Sequence, residues 1–416
     1  MTFEYTESQA EAIRLVKEFY TESRDVFWLA GAAGTGKSTI LPYLIKELGL
    51  AEFEVLVCAP TNKAKSVLTS KGFSNVQTVH KAIRSSTIEG PKAGQYRQLN
   101  EQLRNMSAKG QNVKSLIVQI NELSQSGEVW WESTSNKKSE KFKLILVDEA
   151  SMVSNDDVNE LKQIGCPILL IGDNNQLPPV GQTAFITENE PNFVLTQNMR
   201  QKEANGHIIN ASMLVRENPQ TKFDSLPFNS WKERSGQKII KVCNFNELTD
   251  VRDTQFLAHD NATCFRHIAQ VRSELPATPV PGDRLLSYTT FEGIVKGQIY
   301  RVDKSEVKNG IVHLDLTREN DLVPVRAITP AANFNKTLTN KARLEQLGHS
   351  GIGNLVMPNF YYANCITIHK SQGSEWERVG VYLPKTNYYR PMPDNDLMRL
   401  KYTAITRAKK ELIVVV

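Results

Sequence analysis

The chain has 416 residues, of which 40% are hydrophobic, 8% aromatic and 23% charged, the profile of a globular protein long enough for roughly two to four domains. Fifty Lys and Arg against 45 Asp and Glu leave a formal net charge of +5, which permits a nucleic-acid partner without arguing for one. No apolar run approaches the ~18–20 residues of a membrane span, the N-terminus lacks the basic start and apolar core of a signal peptide, and the five cysteines (Cys58, Cys166, Cys243, Cys264, Cys365) include no C-x-x-C pair, so a disulfide framework, a zinc site and a membrane partner are not expected and buried thiols in a reducing, cytoplasmic interior are.

The chain opens on an acidic-tinged amphipathic helix, "MTFEYTESQAEAIRLVKEFY". "VFWLA" then reads as a buried strand, and "GAAGTGKS" (Gly31 to Ser38) fits G-x-x-x-x-G-K-[ST]. Glycines at 31, 34 and 36 let backbone N–H groups curl round phosphates without a Cβ in the way. The candidate nucleotide cradle is Gly31, Ala32, Ala33, Gly34, Thr35, Gly36, Lys37, Ser38 and Thr39. Ile40, Leu41, Leu44, Ile45 and Leu48 fall at helical spacing after it, and Gly49 suits the stop. Pro42 deletes a hydrogen bond early in that run, which predicts a local kink or a late start.

Further on, "VLVCAP" and "NKAKSVLTSKG" continue a strand–helix alternation that resumes at "LILVDEASMV" and "PILLIGD". The segment between changes character. Val113, Leu116, Ile117, Ile120 and Leu123 form a helical stripe, and "SGEVWWESTSNKKSEKFK" reads as a β-hairpin with Trp130 and Trp131 on its first arm and a polar tip. A second α/β pattern opens near Phe193. "RLLSYTT", "GQIYRVDKSE", "GIVHLDLT" and "VPVRAI" suggest a small β-barrel module within it, and "NFNKTLTNKARLEQLG" a helical excursion. The pattern returns with "NCITIHKSQG", "RVGVYLP" and "KYTAITRAKKELIVVV". The fold class is thus α/β. Residues 1–84 and 143–190 make a first ATP-binding domain, with 85–142 as an inserted helical/β-hairpin element. Residues 191–277 and 355–416 make a second domain, with 278–354 as an inserted β-barrel-like module.

The chemistry sits at strand ends. Lys37 should reach the β- and γ-phosphates of ATP, and Ser38 should ligate Mg²⁺. Asp148, at the tip of "LILV", would hold the same ion through water, and Glu149 would polarise the attacking water. Gln176 in "IGDNNQLPPV" could touch both the γ-phosphate and a neighbouring domain; standing alone, the segment reads as a Pro-rich turn. Arg200 in "LTQNMRQ" and Arg407 in "YTAITRAKK" are candidates to bring positive charge to the γ-phosphate from the second domain. For either, the plain alternative is a surface ion pair worth little.

In order along the chain stand "ESQAEAI", "GAAGTGKS", "APTNKAKSVL", "TVHKAI", "LVDEASMV", "GDNNQLPPV", "LTQNMRQ", "TIHKSQGSEW" and "YTAITRAKK". This ordered set resembles the superfamily 1 helicases, and the forms "GDNNQLPP" and "TIHKSQG" resemble their RecD and Dda branch. The resemblance spans Gln9 to Arg407 and implies two RecA-like domains, ATP in the cleft between them and single-stranded nucleic acid across the top. It matches Gln9 to the glutamine that reads adenine and Glu375 to a position near the ribose. It matches Pro60, Thr61 and Asn62, then Thr78 and His80, then Thr367, His369 and Lys370 to strand-contacting positions. Trp130 and Trp131 become candidates for a fork-splitting pin, with anchoring of the hairpin in the core as the alternative. The activity implied is ATP-driven 5′ to 3′ movement on single-stranded DNA with unwinding of a forked duplex, as in DNA replication and recombination. Single-strand-binding and other replication proteins are the partners it allows, and a monomer suffices because both arginines act in cis. Two other readings compete: a nucleotide-gated strand-binding ATPase that loads or mediates without unwinding, and a phosphotransferase, which the two distant arginines fit poorly.

Overall fold

The computed structural model describes residues 5–108, 114–135, 142–197, 206–220, 240–243, 253–290, 293–308, 310–334, 358–383 and 392–415. The helical excursion expected beyond Phe334, the hairpin tip at 136–141 and Arg200 lie outside them, as do the side chains of Trp130, Trp131 and Cys243.

In chain order the elements are α1 (Glu7–Thr21), β1 (Val26–Gly31), α2 (Lys37–Glu47), β2 (Val55–Ala59), α3 (Asn62–Ser70), β3 (Val76–Thr78) and α4 (Val79–Ile83). Then come β4 (Arg84–Glu89), α5 (Ala93–Ala108), α6 (Lys114–Gln125), β5 (Trp130–Ser135), β6 (Leu144–Val147), α7 (Asn155–Lys162), β7 (Ile168–Gly172), α8 (Phe185–Glu188) and β8 (Phe193–Leu195). The rest are α9 (Gly206–Glu217), β9 (Ile240–Cys243), β10 (Gln255–Ala258), α10 (Asn261–Val271), β11 (Arg284–Ser287), β12 (Ile299–Lys308), β13 (Ile311–Arg318), β14 (Pro324–Pro330), β15 (Phe360–Tyr362), β16 (Cys365–Thr367), α11 (Ile368–Ser371), β17 (Trp376–Tyr382), α12 (Asp394–Ile405) and β18 (Ala408–Val415). Two compact units result: Met1–Ile83 with Asn136–Ile268 and Asn364–Val416, and Arg84–Ser135 with Ala269–Ala363.

The first unit holds two parallel sheets. One has the order β3-β2-β6-β7-β1-β8 and the other β16-β10-β17-β18-β9. The runs of β1, β2, β6 and β7 in the first sheet are apolar at nearly every position because both faces are covered. Phe27, Leu29, Val55, Val57, Leu144, Leu146, Leu169 and Ile171 point to the face packed by α1, α2 and α3. The alternate residues Trp28, Leu56, Ile145, Val147, Ile168 and Leu170 point to the face packed by α4, α7 and α8. Each such large side chain contributes about 1.5–3 kcal/mol on burial. Pro42 sits inside α2 without ending it; it cannot donate to the Ser38 carbonyl one turn back, but the helix continues to Glu47. These are the two RecA-like sheets expected from the resemblance, with one correction. Phe193–Leu195 pairs in parallel with Leu29–Gly31, so the first sheet extends past residue 190 and the second α/β pattern opens only after β8. A three-residue apolar strand carries no mark of which sheet it joins; the open edge of β1 decides it.

Both insertions fall in the second unit. The tryptophan-bearing arm β5 pairs antiparallel with β4, from Glu89↔Trp130 to Arg84↔Ser135, and α5 and α6 lie between the two strands in sequence. Among the described residues its partner is therefore an upstream strand, and the chain from Phe142 leads into β6: the Lys143 N–H already donates to the Glu54 carbonyl at 2.8 Å. Tyr96, Leu99, Leu116, Ile120, Leu123 and Val129 form the core of this element, and Ile328 of β14 packs against it. The β module is a five-stranded antiparallel sheet in the order β14-β13-β12-β11-β15. Arg272 is buried at its entrance, paired with Asp283, stacked 3.8 Å over the Tyr362 ring and bonded to the Pro276 carbonyl at 2.9 Å. Cys58, Cys264 and Cys365 are buried free thiols as expected, while Cys166 is only partly buried. No helix among the described residues is long and apolar enough to cross a membrane.

Candidate nucleotide and strand-contact site

Strand β1 runs into the glycine loop one strand in from the edge of the first sheet, flanked by β7 and β8. In an open parallel sheet, ligands gather outside the carboxyl ends of the strands. Gly36 is left-handed (φ 80°) and forms the N-cap of α2 with no side-chain cap, so the first N–H groups of that helix remain available to an anion. Gly31 serves by its lack of volume: a Cβ there would stand 2.7 Å from Thr35 Oγ1 and 3.3 Å from Lys37 Cδ. Thr35 Oγ1 in turn donates to the Ala32 carbonyl at 2.9 Å, which tightens the loop. Lys37 Nζ donates to the Gly31 and Ala32 carbonyls at 2.6 and 2.9 Å. Thr39 is exposed in the first turn of α2. The loop has the cradle that a phosphate chain needs.

Ser38 Oγ donates to Asp148 Oδ2 at 2.8 Å, so the hydroxyl and the carboxylate expected to share a cation stand side by side. The next residue, Glu149, is a non-glycine in the left-handed region (φ 58°, ψ 41°), a strained geometry of the kind that gathers at functional sites. Burial pushes its carboxyl above the usual carboxylate range, and Asp148 and Asp173 add to that push while Arg407 and Lys37 oppose it. Four charged groups thus act on Glu149.

Arg407, from the second sheet, is 2% exposed. Its guanidinium donates to the Thr403 and Ser374 carbonyls, both at 3.1 Å, and to Thr406 Oγ1 at 3.3 Å. Gln176 is buried and its Oε1 has no partner among the described residues. The turn that carries it is tied to the second sheet's elements: the Leu177 N–H donates to Thr403 Oγ1 at 3.0 Å, and Gln372 Nε2 donates to the Leu177 carbonyl at 2.7 Å. Gln9 is buried at the third position of α1, where it completes a capping box with Thr6 and also donates from Nε2 to the Thr35 carbonyl at 3.4 Å.

The strand-contact candidates lie at the ends of β2 and β3 in the first sheet and of β16 in the second. Pro60, Thr61 and Asn62 follow β2, and Thr61 caps α3 through the Ala64 N–H at 3.1 Å. Thr78 ends β3 and accepts from the Lys81 N–H at 3.3 Å. His80 is exposed, 3.5 Å from Asp157. Thr367 ends β16 and stands at the N-cap position of α11 without a side-chain cap bond; the helix holds His369, whose pKa burial lowers, and Lys370. Glu375 sits just before β17. The first turn of α3 meets the turn before β17: Lys63 Nζ lies 4.5 Å over the Trp376 ring, and a Cβ on Gly373 would touch Ala64. The two groups of strand-contact candidates therefore adjoin.

Sequence reasoning passed over Asp173, Tyr402, Thr403 and Gln372. Asp173 carried a signal, since it follows a buried strand beside β1 as Asp148 follows β6. Tyr402 carried none, because a tyrosine in a helical run reads as core.

A glycine phosphate loop, two carboxylates at strand ends and a buried arginine from a second parallel sheet define a P-loop ATPase built from two RecA-like sheets. Residues 4–231 match the AAA domain family and residues 362–415 match the UvrD-like helicase C-terminal domain. The chain belongs to this family and is a superfamily 1 helicase of the RecD and Dda type. It is similar to the ATP-dependent DNA helicase dda of Enterobacteria phage T4, at 22% identity over all of both chains. It is also similar to the ATP-dependent RecD2 DNA helicase of Deinococcus radiodurans, at 25% identity over 92% of this chain and 45% of that one. An uncharacterized protein of Acanthamoeba polyphaga mimivirus is 28% identical over 42% of this chain, which spans 34% of that protein. In fold, it resembles the Pif1 helicase from Bacteroides solved with ADP-AlF3 and ssDNA, with a TM-score of 0.55 at 17% identity, covering 99% of this chain and 92% of the other.

Proposed function

We propose that this chain is an ATP-dependent DNA helicase that moves 5′ to 3′ along single-stranded DNA and separates duplex at a fork. The observation that carries the reading is the convergence of Lys37, Asp148 and Glu149 from one sheet with Arg407 from the other on a single buried spot. Two relatives that are ATP-dependent DNA helicases support it.

ATP is the substrate, bound by the loop from Gly31 to Thr39, with Lys37 leaving its loop carbonyls for the phosphates and Gln9 reading adenine. Ser38 and Asp148 would hold Mg²⁺, which when bound supplies positive charge to the phosphate oxygens. Glu149 orients the attacking water and accepts its proton; its raised pKa makes it the stronger base. Arg407, with Arg200, supplies positive charge where the transition state gains negative charge. Gln176, on a turn already tied to the second sheet's elements, carries the change in phosphate state across the cleft. Glu375 lies toward the ribose. Thr61, Asn62, Thr78 and His80 grip the DNA backbone from one side, and Thr367, His369 and Lys370 from the other, which positions the strand without reading its sequence. Trp130 and Trp131, on β5, split the fork or anchor the ribbon. Single-strand-binding and other replication proteins would meet this motor in the cytoplasm.

ATPase turnover with and without single-stranded DNA, beside strand displacement from partial duplexes with a 5′ or a 3′ tail, tests the reading. DNA-stimulated turnover with unwinding from the 5′ tail is expected. Unwinding from the 3′ tail alone overturns the direction. Stimulated turnover without unwinding from either tail favours a nucleotide-gated strand-binding ATPase.

A further inference from the structure

Tyr402, on α12, touches the phosphate loop itself. Its hydroxyl accepts from the Ala33 N–H at 3.1 Å and donates to Asp173 Oδ2 at 2.7 Å. The ring is 1% exposed, so both bonds are made away from water, where a lost partner is costly. Asp173 Oδ1 accepts from the Asn175 N–H and Nδ2, both at 3.1 Å, which fixes the start of the turn that bears Gln176. The adjacent Thr403 holds the other end of that turn through the Leu177 N–H. Helix α12 therefore clamps the loop and the Gln176 turn together. The same helix delivers Arg407, which follows its end cap Thr406 and bonds back to the Thr403 carbonyl.

We propose that Tyr402 is a positioning residue that locks the phosphate loop to the Asp173–Leu177 turn and sets the depth at which Arg407 enters the nucleotide site. A phenol suits the task because one hydroxyl serves as acceptor for the loop and donor to the carboxylate at once. Burial and the neighbouring Asp173 hold its pKa well above the ordinary tyrosine value, so the proton that Asp173 accepts stays on the oxygen. Phenylalanine would fill the same space and make neither bond.

The inference rests on the ATPase reading, and one arm of its test does not need nucleotide. In nucleotide-free protein, Tyr402→Phe should raise hydrogen exchange in the peptide covering Gly31 to Ser38 by about 10-fold or more, because the Ala33 amide loses its acceptor. Arg407→Ala should leave that peptide unchanged. In turnover, Tyr402→Phe should lower kcat and kcat/KM together, by about 10- to 100-fold, with KM for ATP little changed, as expected when an interaction that matters only in the transition state is misplaced. Combining it with Arg407→Ala should cost little more than Arg407→Ala alone, since one acts through the other. Unchanged loop exchange, an unaltered kcat or fully additive losses would each overturn the proposal. If Tyr402→Phe does not fold, Asp173→Asn removes the charged acceptor instead and should loosen the same peptide; no change there also overturns it. Wild-type protein that hydrolyses no ATP defeats the ATPase reading, and the exchange arm still decides the Tyr402 contact.

Discussion

Lys37 turns its ammonium back on the Gly31 and Ala32 carbonyls, so its contacts without nucleotide are two local hydrogen bonds at a half-buried site. Lys37→Ala should therefore lower ATP hydrolysis by at least ~100-fold while leaving the melting temperature and the strand affinity near wild type, because the strand-contact candidates lie at the ends of β2, β3 and β16. ATPase, thermal melting and filter binding check this; turnover close to wild type would remove Lys37 from the site. Arg407 is different, since its three hydrogen bonds give it a structural role beside the chemical one proposed. Arg407→Lys keeps the charge but not the fork of donors. We expect turnover to fall by on the order of 100-fold and stability by about 1–3 kcal/mol, read by ATPase and urea unfolding. A folded variant with normal turnover would make the arginine structural only. Lys37, Ser38 and Asp148 were legible because the loop pattern names residue types at fixed spacing beside a buried strand. Tyr402 and Thr403 were not, because their partners lie in loops far away along the chain and nothing local distinguishes a helix face that meets a loop from one that meets a sheet.

The layer between α10 and the second sheet shows what a strand glycine can be for. Gly380 of β17 pairs with Phe256 of β10, and the Phe256 ring fills the space a side chain would take: a Cβ on Gly380 would stand 2.3 Å from it. Gly380→Ala should cost about 1–3 kcal/mol by forcing that buried ring aside, visible as a lowered urea midpoint; a neutral change would mean that the ring moves freely. His267 of α10 stacks on the same ring at 4.2 Å, and its Nδ1 lies 2.7 Å from the Tyr382 hydroxyl. Burial lowers its pKa to about 4. The folded state therefore binds fewer protons than the unfolded chain between about pH 6.5 and that value. Stability from this group is fully present above about pH 6.5 and is lost as pH falls, at ~1.4 kcal/mol per unit. His267→Asn should flatten the pH dependence of the melting temperature across that window; an unchanged slope would assign it elsewhere. The main strands were legible because runs buried on both faces stay apolar throughout. The pairing of β4 with β5 was not, because "RSSTIE" is mostly polar and its partner lies across two helices.

At the scale of the whole molecule, chemistry and accessory structure fall into different units. Gln9, the loop from Gly31 to Thr39, Asp148, Glu149, Gln176, Glu375 and Arg407 all lie in the unit with the two parallel sheets, while β4, β5, α5, α6 and the antiparallel sheet lie in the other. Alternating strand and helix patterns made the two-sheet plan readable from composition and period; the joining of two distant insertions into one unit could not be, since it depends on contacts such as Ile328 against the α5–α6 core. The division predicts a separation of functions. Ile120 is fully buried in that core with Tyr96, Leu99, Leu116, Leu123 and Val129. Ile120→Ala leaves a cavity worth about 2–5 kcal/mol, and Ile120→Val a smaller loss of about 0.5–1.5 kcal/mol. Because neither change touches the nucleotide unit, DNA-stimulated ATP hydrolysis should stay close to wild type in both. Strand displacement on a 5′-tailed fork should fall, more for alanine than for valine, because a loosened ribbon can no longer hold a separating edge against base pairs. Single-turnover unwinding beside steady-state ATPase reads the two quantities on the same preparations. Equal losses of both activities would place the second unit within the hydrolytic cycle, and unwinding at the wild-type rate would show that the ribbon takes no part in opening the duplex.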